Sequence, residues 1–126
     1  MSEMYTQRLL DHACHPHNRG RLESPDLAGE EYNPLCGDRV RIEAHVEADR
    51  IVEIRFEGRG CALCLGAASI LTELAAGRPL SDLQALTSDH FLAELQSPVR
   101  PARLRCVLLP WLAFRRAVFG EAEGPI

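Results

Sequence analysis

The sequence predicts an α+β domain in which a small antiparallel sheet of about three strands has helices packed on one face. Residues 40–46 and 52–56 alternate apolar and polar side chains, which is typical of a hairpin with one solvent-exposed face. Residues 63–74 then change to a helical period. The chain of 126 residues is predicted to form one domain spanning residues 1–126, because it contains no repeat or convincing linker.

The N-terminal half supplies one helix before the hairpin. Apolar residues between positions 5 and 12 predict a helix that ends at the turn of residues 15–20. The stretch around Pro25 and Gly29 is polar, and we expect it to be mobile. The hairpin turn is predicted at residues 48–49.

The C-terminal half is predicted to be mainly helical. The glycines of residues 58–60 permit a bulge or sharp bend that delivers Cys61 to the sheet edge. The helix that follows is expected to end at residues 77–79. Two short helices and a last, longer helix come next. Their predicted markers are Ser81 and Ser88 as N-caps, Pro101 in the first turn of the last helix and Pro110 as a kink within it.

Composition argues against several classes of partner. With 14 Lys and Arg against 18 Asp and Glu, the formal charge is −4, so no global basic field attracts nucleic acid or anionic membrane. Apolar stretches are interrupted well before the ~20 residues of a membrane span, and the N-terminus lacks the order of a signal peptide. We expect a cytoplasmic protein. In a reducing cytosol, five cysteines favour metal or sulfur chemistry over a disulfide framework.

The candidate functional residues are Cys36, Asp38, Cys61 and Cys106. They lie in three junctions marked by Gly or Pro, namely residues 33–38 (NPLCGD), 58–61 (GRGC) and 101–106 (PARLRC). Turns can aim thiols at one point, and a thiolate is both a soft metal ligand and a sulfur nucleophile. Three cysteines and one carboxylate would make a tetrahedral set for zinc or hold one corner of an iron–sulfur cluster.

Each of these residues also has a plainer interpretation. A single cysteine is at least as often a small buried apolar residue as a ligand. Asp38 could instead form an Asx turn, although a hard oxygen among thiolates favours a metal or cluster that leaves the site. Arg103 and Arg105 could hold a thiolate, a persulfide or an anionic cluster, or could form a solvated basic face.

Four segments together resemble the iron–sulfur cluster assembly scaffolds of the IscU, SufU and NifU N-terminal type. These segments are residues 33–38, 56–61, 67–69 and 103–111. The resemblance extends over nearly the whole chain and implies a SufE/NifU-like fold. It also implies a scaffold that accepts sulfur from a cysteine desulfurase, builds a transient 2Fe–2S cluster and passes it to apo-proteins. The implied ligands are Cys36, Asp38, Cys61 and Cys106, and members of the family also bind zinc with them.

Two departures place the sequence between branches of that family. IscU-type members have a histidine before the last cysteine and a Leu-Pro-Pro-Val-Lys segment for a chaperone. Here the histidine is replaced by Arg105, and residues 98–102 read PVRPA, which argues against chaperone handover. The residues before Cys106 are similar to the SufU branch, but the SufU insertion between the second and third cysteines is absent.

Two further groups carry ligand-type side chains. Cys64 could add a thiolate or form a dithiol with Cys61, but we favour a small core residue. A second candidate metal cluster, near the N-terminus, consists of His12, Cys14, His15 and His17. The proline turn among these four residues does not fix their geometry, so adventitious binding is the favoured interpretation.

Three functions remain open at this point. The main interpretation is a cluster scaffold without turnover of its own, and the alternative is a zinc-bound sulfur-relay partner of a cysteine desulfurase. In both, Cys36 is the expected sulfur acceptor. A structural zinc domain is disfavoured, because structural sites are usually closed by Cys and His rather than by Asp. Whether the chain is an enzyme, and whether zinc or a cluster resides in it, stays undecided by the sequence.

Overall fold

The computed structural model describes residues 5–119, so the ends of the predicted domain at residues 1–4 and 120–126 lie outside the described part. Its elements are α1 (Gln7–Cys14), β1 (Leu27–Asn33), β2 (Asp38–Glu47), β3 (Arg50–Arg59), α2 (Ala62–Ala75), α3 (Leu80–Gln84), α4 (Ser88–Glu94), a 3₁₀ turn (Pro101–Arg103) and α5 (Leu104–Phe119). The strands form one antiparallel sheet in the order β1-β2-β3. The predicted α+β class is confirmed.

The core lies between one face of the sheet and the helices α2 and α5. Alternate residues of β2, among them Val40 and Ile42, are fully buried, as the period of two predicts. Helix α2 is buried on almost every side because α1, α5 and β3 all pack against it. Trp111 of α5 stacks on Phe91 of α4 with ring centroids 5.7 Å apart.

Strand β1 is absent from the sequence-based prediction, which assigned a mobile stretch to this region. The expectation was wrong because the inward-facing position is Gly29 rather than a large apolar residue, so the strand period is hidden. A Cβ on Gly29 would lie 2.3 Å from the carbonyl oxygen of Ala113. The glycine therefore lets α5 pack directly on the backbone of β1.

The segment that links α1 to β1 crosses the outer face of the sheet, pairing with Phe56 of β3 and with Ala44 of β2. Glu43 points to this face and is only 1% exposed. Its carboxylate accepts hydrogen bonds from the backbone N–H of Leu22 at 2.7 Å, from Arg41 at 2.7 Å and from Arg21 at 3.0 Å. The linker is thus anchored to β2 by a buried charge.

The predicted caps of the short helices also need correction. The N-caps are Pro79 and Thr87, and Ser81 and Ser88 lie inside the helices. Thr87 Oγ1 accepts the backbone N–H of His90 at 3.1 Å, which leaves no capping role for the serine that follows. The first N–H of α3 instead donates to the carbonyl of Asp49 at 2.8 Å, so α3 needs no side-chain cap there.

The glycines of residues 58–60 were expected to permit a bulge or a sharp bend, but the irregularity in the sheet register lies at another position. The register shift falls between His45 and Val46, next to the predicted hairpin turn, and β3 remains paired as far as Arg59. Gly60 and Cys61 then join β3 to α2. Helix α5 continues through Pro110, while Pro101 begins the 3₁₀ turn that precedes it.

Among residues 5–119, no helix combines the length and apolar character needed to cross a membrane.

Candidate metal and sulfur site

Three of the four predicted ligands converge at one end of the sheet. One ligand atom each from Asp38, Cys61 and Cys106 lies within 4.8 Å of the others, and all three residues are half-buried. They come from the start of β2, the N-cap of α2 and the first turn of α5. Residues distant in sequence therefore form a compact group of one oxygen and two sulfur atoms.

Cys36 lies outside this group, on the exposed turn that joins β1 to β2. Asn33 holds the turn, since its carbonyl accepts the N–H of Gly37 at 2.8 Å and its side-chain oxygen accepts the N–H of Leu35 at 3.0 Å. Gly37 has a φ of 79°, a conformation that glycine adopts without strain. Asn33 is a functional support that sequence reasoning missed, and it makes the Asx-type bond considered for Asp38.

Cys61 is placed by the junction between β3 and α2. It is the N-cap of α2, yet its side chain makes no capping hydrogen bond, so the thiol remains available to the group. A Cβ on the preceding Gly60 would lie 3.4 Å from the Asp38 carboxylate and 3.0 Å from Cys64 Sγ. A side chain at position 60 would therefore press against the core residue Cys64 and the carboxylate of Asp38.

Cys106 has a basic neighbour in the 3₁₀ turn that precedes α5. Arg103 Nη1 lies 4.0 Å from Cys106 Sγ, whereas Arg105 lines a separate groove with Tyr32, Pro34, Leu109 and others. Burial raises the pKa of the Cys106 thiol, the neighbouring Cys61 raises it further, and Arg103 lowers it. Metal binding at Cys106 would thus displace a proton that the apo-protein holds.

Cys64 belongs to the hydrophobic core, with no exposed surface, in agreement with its interpretation as a small core residue. Burial raises the pKa of this thiol, so it is a poor ligand at neutral pH.

Of the N-terminal cluster, the structure brings His12 and His17 together with Glu73. That group of three does not include Cys14 or His15. Glu73 carries no signal in the sequence that links it to the two histidines.

The chemistry of the convergent group suits a soft or borderline metal. Two sulfurs and one carboxylate oxygen are ligands for zinc or for the iron of a cluster, and a further thiol stands on the adjacent turn. Pro110 has no N–H, so the carbonyl of Cys106, four residues earlier, loses its usual helical donor.

Comparison with known proteins adds independent evidence. Residues 4–120 match the family described as NifU-like N terminal domain. The iron–sulfur cluster assembly scaffold protein IscU 1 of Archaeoglobus fulgidus is 34% identical over 115 residues, which cover 91% of this chain and 74% of that protein. The zinc-dependent sulfurtransferase SufU of Bacillus subtilis is 28% identical over 141 aligned positions, covering 98% of this chain and 95% of that protein.

Some relatives are much longer. The bifunctional protein NifU/MnmA of Rubrobacter xylanophilus is 35% identical over 118 residues, which are 93% of this chain but only 24% of that protein. Among solved structures, a SufU protein of Fervidobacterium islandicum matches with a TM-score of 0.76 at 23% identity, covering 91% of this chain and 96% of that one. At this identity the likeness concerns the fold alone.

Proposed function

This chain belongs to the family of NifU-like N-terminal domains, and on that premise we propose that it is an iron–sulfur cluster assembly scaffold. It accepts sulfur from a cysteine desulfurase, builds a labile cluster and passes the cluster to apo-proteins. The proposed ligands are Cys36, Asp38, Cys61 and Cys106. The scaffold role of relatives such as the IscU of Archaeoglobus fulgidus supports this assignment.

The observation that carries the proposal is the convergence of Asp38, Cys61 and Cys106 within 4.8 Å. A closed structural zinc site would be completed by Cys or His on rigid elements. Here the group contains a carboxylate, and the fourth ligand, the thiol of Cys36, stands apart on an exposed turn. A site with one hard ligand and one movable ligand suits cargo that must arrive and leave.

Cys36 is the residue proposed to receive sulfur. Its exposed position allows the thiolate to attack the outer sulfur of a persulfide held by the desulfurase. A new sulfur–sulfur bond forms on Cys36, the bond in the desulfurase persulfide breaks, and the desulfurase thiolate leaves. The turn can then bring the added sulfur to the three convergent ligands.

The alternative is a zinc-bound sulfur relay. Two observations favour it over a purely structural site: the similarity to the SufU of Bacillus subtilis, and the position of Arg103 beside Cys106. In this case the four ligands would bind zinc in the resting protein, and Cys36 would dissociate from the metal to accept sulfur. The scaffold and the relay share the sulfur-accepting step but differ in the species they hold.

Metal and sulfide analysis separates these functions. The protein is purified without oxygen and incubated with a cysteine desulfurase and cysteine. One portion is analysed for a persulfide by mass spectrometry without reductant, and the other receives ferrous iron and a thiol reductant and is then mixed with apo-ferredoxin. A scaffold acquires iron and acid-labile sulfide and converts apo-ferredoxin to its holo form. A relay keeps its zinc and gains only a persulfide on Cys36. Failure to acquire sulfur with any tested desulfurase would overturn both.

A further inference from the structure

A second group of metal-ligating side chains lies far from the site described above. It consists of His12 on α1, His17 on the turn after α1, and Glu73 near the C-terminal end of α2. Glu73 follows Cys61 by twelve residues on one helix, which places the two groups about 18 Å apart along the helix axis. The histidine group therefore cannot share a metal with the cysteines.

The donor atoms of this second group are already close together. One ligand atom from each residue lies within 4.8 Å of the other two. His12 Nε2 is 3.7 Å from Glu73 Oε1, and His17 Nδ1 contacts the other oxygen of the same carboxylate. Ligands about 2.0–2.1 Å from a tetrahedral zinc are themselves roughly 3.3 Å apart, so small side-chain movements complete the geometry.

Ser69 orients both histidines. Its Oγ lies 2.7 Å from His12 Nδ1 and accepts the backbone N–H of His17 at 2.7 Å. His12 is buried, and this contact leaves Nε2 as the nitrogen that faces Glu73. A ligating histidine whose second nitrogen is held by a hydrogen bond is the usual arrangement at protein metal sites.

Solvent has access to the group from one side. The side chains of His17 and Glu73 are 53% and 42% exposed, whereas that of His12 is only 9% exposed. Burial lowers the pKa of His12, so its ring is largely neutral at neutral pH, which is the form that binds metal. Two imidazoles and a carboxylate suit zinc and similar transition metals better than magnesium or calcium.

We propose that His12, His17 and Glu73 form a second metal site, selective for zinc and similar divalent transition metals, with water completing the coordination. The metal would join α1 and the turn after it to α2. The site does not depend on the cysteine ligands or on the proposed scaffold function. Without a metal, the same three residues would form only a hydrogen-bonded ion-pair network.

The test counts zinc on the full chain at equilibrium and uses cobalt as a spectroscopic substitute. We expect wild type to bind zinc in two classes: one whose cobalt form shows sulfur-to-metal charge transfer, and one whose cobalt form does not. His17→Ala should remove only the class without charge transfer. Glu73→Gln should do the same with nearly unchanged side-chain volume. His90→Ala, an exposed histidine on α4, is the matched control and should keep both classes.

Ser69→Ala examines the supporting hydrogen bond without removing a ligand. It should weaken zinc binding at the second site by about 10–100-fold, as is typical for loss of an outer-shell partner. Circular dichroism of each variant confirms that the fold is retained. The proposal is overturned if wild type binds zinc only with sulfur ligation, or if folded His17→Ala and Glu73→Gln both bind as much zinc as wild type.

Discussion

Arg103 and Cys106 lie one turn apart on adjoining helical segments, with Arg103 Nη1 4.0 Å from Cys106 Sγ. The guanidinium lowers the pKa of a thiol that burial and Cys61 raise. Arg103 is exposed to solvent. This pairing distinguishes it from Arg105, which lines the groove beside Tyr32.

Removal of Arg103 should make the Cys106 thiol less acidic in the apo-protein. In Arg103→Ala, the pKa of Cys106 is expected to rise, because the opposing effects of burial and Cys61 remain. The rate of alkylation of Cys106 by iodoacetamide, followed by peptide mass spectrometry across pH, measures this change. Arg105→Ala is the control, and an equal shift in both variants would contradict the specific role of Arg103.

Gly29→Ala should destabilise the protein through the contact between β1 and α5. The added Cβ would lie 2.3 Å from Ala113 O and 2.4 Å from Ala117 N, so the helix must move away from the sheet. We expect a loss of about 1–3 kcal/mol in the free energy of unfolding, the usual range for overpacking. Urea denaturation measures it. Val52→Ala, at a half-exposed sheet position, should cost much less, and equal losses would refute the packing argument.

Glu43 should give the protein an acid-sensitive component of stability. Burial opposes the charge, but hydrogen bonds from Leu22 N–H, Arg41 and Arg21 outweigh it and hold the pKa of Glu43 below its ordinary value of 4.5. A carboxylate with a depressed folded-state pKa stabilises the fold fully above its unfolded-state pKa. That stabilisation is lost as the pH falls through the folded-state value.

Glu43→Gln should therefore lower the free energy of unfolding at neutral pH by about 1.5–3 kcal/mol, the range for hydrogen bonds to a charged group. The difference from wild type should shrink as the pH falls below 4.5 and through the depressed folded-state pKa, because the wild-type carboxylate is then progressively protonated. Urea unfolding over a series of pH values from neutral into the acid range tests this. Glu53→Gln is the control, because Glu53 is 43% exposed and pairs with Arg55 at the surface. A difference that is constant with pH would exclude the linkage.

Cysteine variants should divide into two groups by metal content. Cys36→Ser, Cys61→Ser and Cys106→Ser are each expected to weaken zinc or cluster binding, since each removes a proposed ligand. Cys64→Ala and Cys14→Ser should leave it nearly intact, because Cys64 is in the core and Cys14 is exposed on α1. Metal analysis after equilibrium dialysis is the measurement. Full metal content in Cys106→Ser would remove this residue from the ligand set.

The sequence predicted the elements whose side chains carry the fold. The hairpin could be predicted because its core residues, among them Val40, Ile42 and Phe56, recur at every second position. Helix α2 could be predicted because its apolar residues recur with the helical period. The junctions that carry Asp38, Cys61 and Cys106 were marked by Gly or Pro, which indicated turns before any geometry was known. Family resemblance then supplied the proposed roles of these residues.

Other features depend on contacts that leave no local pattern. Strand β1 was missed because Gly29 is buried by the backbone of α5 rather than by its own apolar side chain. Glu73 is more than fifty residues away in sequence from His12 and His17, and it contacts them only because α1 packs along α2. Thr87 caps α4 where Ser88 was expected, because neighbouring capping residues cannot be ranked without backbone geometry.

The central claim is that Asp38 belongs to a site built to release its cargo. The most direct test measures cluster lifetime and transfer to apo-ferredoxin in parallel, for the wild-type protein and Asp38→Ala, both reconstituted without oxygen. In the proposed site, the hard carboxylate of Asp38 would hold iron loosely and would be the ligand that an acceptor thiol replaces. We predict that Asp38→Ala keeps its cluster several-fold longer and transfers it more slowly. A cluster that decays faster in Asp38→Ala would show that Asp38 retains the metal, and would contradict the account.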